Sequence, residues 1–92
     1  MNAYEKAVSF LSDGLQRVLL RVPASQQQKV QEIRLRLGGL LTLSTVDGEW
    51  TVETSGTLSE RPGPRAVYCS AHDIEKTFLK LCDYSVHTHS EE

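Results

Sequence analysis

Between Gln31 and Thr54 the chain reads QEIRLRLGGLLTLSTVDGEWTVET. Apolar and polar residues alternate around two glycine-bearing breaks, the period of half-buried strands. The stretch predicts three antiparallel strands. Asp47-Gly48 has the form of a two-residue type I′ hairpin turn, in which both central residues take positive φ. That turn pairs Val46 with Glu49, Thr45 with Trp50, Leu43 with Val52 and Leu41 with Thr54. A two-residue Gly38-Gly39 loop before it would set Ile33, Leu35 and Leu37 opposite Ser44, Thr42 and Leu40, mixing the faces. A three-residue loop, Gly38-Gly39-Leu40, pairs Leu37 with Leu41, Leu35 with Leu43 and Ile33 with Thr45. Register follows the buried face, so the three-residue loop is expected, with a glycine in the left-handed conformation.

The resulting meander has an oily face of Ile33, Leu35, Leu37, Leu41, Leu43, Trp50 and Val52. Its other face carries Glu32, Arg34, Arg36, Thr42, Ser44, Glu49, Thr51 and Glu53. So small a sheet is marginal alone, and the rest of the chain must cover the oily side.

Residues 1–30 are helical in pattern. Asn2-Ala3-Tyr4-Glu5 has capping-box form. Tyr4, Val8, Leu11, Leu15, Val18 and Val22 then recur at steps of four and three, with Ala7 and Leu19 broadening the stripe. Ser12-Asp13-Gly14 can split this helix, and the unbroken apolar phase predicts two nearly collinear pieces. The stripe reads as core packing; a partner-binding seam would need more heptads. Pro23 ends the segment, and residues 24–30 form a short polar helix with Ser25 as a possible cap.

Residues 55–65, SGTLSERPGPR, read as a mobile loop within the domain, since little in them can bury a face. Arg61 and Arg65 are its only support for a recognition role. Ala66–Cys69 is a short β-prone run. Ser70-Ala71-His72-Asp73 again has capping-box form, and a helix is expected to about Asp83. Ala71, Ile74, Phe78, Leu81 and Cys82 share one of its faces; Asp73, Glu75, Lys76, Lys80 and Asp83 line the other. This helix and the first are the expected lids for the sheet. In the tail, Tyr84–Glu92, Ser85 can cap a further helix whose body is absent, so the chain reads as cut from something longer.

Ninety-two residues with a formal charge of −2 make one acidic domain. That balance gives no basic excess for nucleic acid or an anionic membrane surface. No apolar run reaches the roughly 18 residues of a spanning segment, and the start lacks signal-peptide form. A cytoplasmic chain with Cys69 and Cys82 reduced is the expectation.

Three constellations bear on chemistry. Cys82, His87 and His89, with Cys69 and His72 elsewhere, are the best metal candidates, but their spacing matches no standard zinc site; no metal site is assigned. Cys69 with His72, or Cys82 with His87, has the residue types of a nucleophile pair but no orienting third group; no catalytic residue is assigned. Glu32, Arg34, Arg36 and Glu53 form the candidate interaction site, with Arg36 expected to reach Glu53 across Thr42. The plainer reading of these charges is a solvated face with weak ion pairs.

Glu32–Arg36 (EIRLR), with the glycine turn and second strand after it, resembles the start of the stage III sporulation protein AA family. Ser70–Glu92 resembles that family's helix leading into an S-V/I-aromatic-or-His stretch, and the helix–strand–hairpin–helix order agrees. Leu40 stands where family members often carry proline. The resemblance implies the N-terminal domain of a cytosolic, mother-cell ATPase similar to the ring-forming motors of type II and type IV secretion. Implied partners are its own ATPase domain, neighbouring ring subunits and the other stage III sporulation channel proteins. These residues contain no G-x-x-x-x-G-K-[ST] loop to cradle phosphates. ATP and Mg²⁺ are therefore expected only in a further domain, and this chain as no enzyme and without a cofactor. The glycines at 38, 39, 48, 56 and 63 read as turn glycines.

The expectation is an α+β domain over residues 1–92. A three- to four-stranded antiparallel meander, extended by Ala66–Cys69, carries N- and C-terminal helices on one face. Its expected role is assembly and domain contact; the alternative is a free-standing cytosolic adaptor that binds a peptide or protein through its sheet.

Overall fold

Asn2 begins α1 (Ala3–Val8): its Oδ1 accepts from the Glu5 N–H at 2.8 Å, and the Glu5 carboxylate accepts from the Asn2 N–H at 3.3 Å. Ser12 begins α2 (Asp13–Leu20), its Oγ accepting from the Leu15 N–H. Both caps and the break between them fall where the sequence places them. The two helices are not collinear. The Tyr4 hydroxyl donates to the Leu19 carbonyl at 2.6 Å, whereas a straight helix would hold these residues about 22 Å apart. After Val8 the chain turns through Ser9–Leu11 and α2 runs back beside α1. The apolar stripe is buried throughout, from Tyr4 and Val8 through Leu11, Leu15 and Val18 to Val22; Ala7 is exposed. Its unbroken phase thus serves two facing helices, not one rod.

The computed structural model describes residues 1–89, and the side chains of residues 1–84. Pro23, not Ser25, caps α3 (Ala24–Gln27). A sheet follows in the order β1 (Val30–Arg34), β2 (Thr42–Thr45), β3 (Gly48–Val52) and β4 (Leu58–Ser59), every neighbour antiparallel. This is the expected α+β meander with helices before and after it.

Both hairpins differ from the expected register by two residues. Ile33 lies opposite Leu43 and Arg34 opposite Thr42, with a bulge between Val30 and Glu32. The reason lies in Ala66–Cys69. Its backbone takes the hydrogen bonds of the first loop: Gly38 N–H to the Cys69 carbonyl, Cys69 N–H to the Gly39 carbonyl, and Leu41 N–H to the Val67 carbonyl, at 2.8, 2.8 and 2.9 Å. Gly38 holds the expected left-handed conformation, φ 71°. Residues 66–69 therefore close the end of the sheet through isolated bridges instead of extending it. In the second hairpin Leu43 faces Trp50 and Thr45 faces Gly48, so the turn is Val46-Asp47. Asp47 has no positive φ, so the type I′ turn does not form. The Thr45 hydroxyl organises the turn, accepting from the Asp47 N–H at 3.2 Å and from Trp50 Nε1 at 3.0 Å.

The fourth strand comes from the stretch expected to be a loop. Leu58 pairs with Val52 and Ser59 with Thr51. The turn before it is anchored, since Arg21 Nη1 donates to the Thr54 carbonyl at 2.9 Å. Gly56, at φ 89°, sits against Arg21, and a Cβ there would lie 2.6 Å from the Arg21 carbonyl carbon.

Leu41, Leu43 and Val52 of the sheet's oily face meet Val8, Leu15 and Leu19 of the helices and Val22 just after α2 in one core, closed by Val67 and Cys69. Ile33, Leu35 and Trp50 are half-buried, and Leu37 alone of the oily face turns out, 69 % exposed.

α4 (Ala71–His89) begins in the expected capping box, with Ser70 N–H to Asp73 Oδ2 at 2.9 Å and Asp73 N–H to Ser70 Oγ at 3.1 Å. It continues as one helix past Asp83, and Ser85 begins no new one. Its packing face is not the apolar one. Phe78, Leu81 and Cys82 are exposed, while Thr77 is buried and Ile74 half-buried. The helix attaches at the α1–α2 corner. Ser12 Oγ donates to Asp73 Oδ1 at 2.6 Å, the Ser12 N–H to Thr77 Oγ1 at 3.2 Å, and Lys80 Nζ to the Leu11 carbonyl at 2.8 Å. Backbone groups at a helix end need partners; Thr77 and Lys80 supply them from α4, and Asp73 on the same side takes the Ser12 hydroxyl. No helix among the described residues is long and apolar enough to cross a membrane.

Candidate functional site

The open face of the sheet presents a charge cluster centred on Arg34. Strand alternation puts Glu32 and Arg34 on that face, and pairing through Ser44 brings Glu49 alongside. Arg34 Nη2 and Nε donate to Glu32 Oε2 at 3.0 and 3.1 Å, and Nη1 donates to Glu49 Oε1 at 2.7 Å. The three side chains remain 45, 60 and 55 % exposed, so water screens the pairs and they add little to stability. The hydrogen bond that Arg34 donates to Glu32, then the charges of Glu32 and Glu49, push the Arg34 guanidinium further up. What the cluster does is hold a guanidinium in a fixed orientation on an uncovered surface.

Arg36 and Glu53 stand apart from it. β1 leaves the sheet after Arg34, so Arg36 does not cross Thr42 to reach Glu53. Glu53 is half-buried, its carboxylate turned to the 55–65 segment, where a Cβ on Gly63 would lie 2.8 Å from Oε2. Arg36 is exposed and makes no ion pair among the described residues. Glu49 therefore takes the place expected of Glu53. The signal was in the sequence, but only with the second hairpin shifted by two residues.

Beside this face lies a groove of about 380 Å³ between α1, β1 and α4, lined mainly by Tyr4, Phe10, Ile33, Leu35, Thr77 and Leu81. The Tyr84 ring meets Phe10 edge-on, centroids 5.0 Å apart. Desolvation pushes the Tyr4 phenol up to about 12.

Elsewhere the chemistry is quiet. Cys69 is fully buried, and burial pushes its thiol up, the reverse of an activated nucleophile. Cys82 is exposed on α4. The His87 and His89 side chains, candidate partners of Cys82, lie outside the described residues. Among the described residues no three His, Cys, Asp or Glu side chains gather as a metal site would require. Gly38, Gly48 and Gly56 sit at turns with positive φ. No family model, curated protein or solved structure matches the chain.

Proposed function

We propose that this chain is a non-catalytic interaction domain that docks through the open side of its sheet. The Glu32–Arg34–Glu49 cluster carries this reading. It fixes charges of both signs on a face that the helices leave uncovered, and an ion-pair network so held suits a partner surface of complementary charge. Arg36, exposed just beyond the end of β1 and without an ion pair among the described residues, adds a further charge near that face.

We further propose that the parent is a cytoplasmic, sporulation-associated ATPase of the stage III sporulation protein AA type. Support comes from the Glu32–Arg36 and Ser70–Glu92 resemblance and from the order of helices, meander and helix. The lack of a phosphate-binding loop in these residues fits a domain that assembles while another holds ATP and Mg²⁺. Its partners would be that domain and neighbouring subunits of a ring.

One observation favours a free-standing adaptor: the groove beside β1 is apolar and open, as a peptide-binding site would be. The two readings separate on the native gene product, detected in cell extract with an antibody against this chain. A band several times larger than 10.3 kDa, with a phosphate-binding loop in its sequence, supports the motor domain. A band near that mass overturns it in favour of the adaptor.

A further inference from the structure

We draw no further inference here: the strongest candidate, the open β1 edge with the apolar groove of about 380 Å³ between α1, β1 and α4, carries nothing, because nothing in the structure shows what covers it.

Discussion

The meander and α4 are both amphipathic, and only the meander hides its apolar side. Leu41, Leu43 and Val52 are fully buried. On α4, Phe78 is 63 % exposed and Leu79 50 %, while Thr77 is buried. The sheet is held by burial of apolar surface, the dominant favourable term in folding. The helix is held at the α1–α2 corner through Asp73, Thr77 and Lys80. Amphipathicity thus tells that an element has a preferred face; it does not tell which face the rest of the molecule needs. Stability should be correspondingly uneven, with α4 opening at lower free energy than the sheet.

The sharpest way to break this comparison is to damage each region at its own kind of contact. Leu43→Ala removes side-chain volume from the dry core and should cost about 2–5 kcal/mol, read as a lower denaturation midpoint for the whole domain. A small loss would mean that the sheet is not the stability centre.

Asp73→Ala should act on α4 first. It removes the carboxylate that joins the Ser70 cap to Ser12, at a cost of about 1–3 kcal/mol. Hydrogen exchange should show α4 amides opening while β2 and β3 amides keep their protection. Equal loss in both would make the helix part of the core unit. Acid should reproduce the effect. Desolvation pushes the Asp73 carboxyl up, but hydrogen bonds from Ser12 and Ser70 and the nearby His72 outweigh it, so the net shift is downward. A lowered native pKa stabilises above the unfolded value, about 3.9, and that stabilisation is lost as pH falls through the native value. Acidification below pH ~4 should therefore loosen α4, and Asp73→Asn should abolish that pH dependence.

Tyr4→Phe should cost about 1 kcal/mol, the net worth of one hydrogen bond. In the wild-type chain the phenol should ionise near pH 12. A raised native pKa stabilises below the unfolded value, about 10, and is lost as pH climbs towards 12. Phenolate absorbance tracks it; ionisation of Tyr4 near 10, the ordinary value, would mean that α1 does not fold back on α2.

Phe78→Ser should be the mildest change, within about 0.5 kcal/mol. A large loss would show that the apolar side of α4 is covered after all.

The faces of the sheet were legible because both register errors were of two residues, and an even slip keeps every side chain on its side. The pairings themselves were not. They turn on the Thr45 hydroxyl and on the Ala66–Cys69 backbone, partners that local pattern does not specify. The helical hairpin was hidden because collinear and folded-back helices share one apolar phase; the Tyr4–Leu19 hydrogen bond separates them in the structure. The face of α4 was hidden because Thr77 and Lys80 answer the backbone of a different element. In the candidate site, Glu32 and Arg34 were readable from strand alternation. Choosing Glu49 over Glu53 required the true register, and the groove required knowing where α4 lies.

The central claim is that the open, charged side of the sheet is a docking surface. Its most direct test is the double charge reversal Arg34→Glu with Arg36→Glu in the native gene product, followed by gel filtration. Both side chains are exposed, so circular dichroism and the melting temperature should stay as in the wild type while the product elutes as a smaller species. An unchanged elution volume with an intact fold would contradict the account.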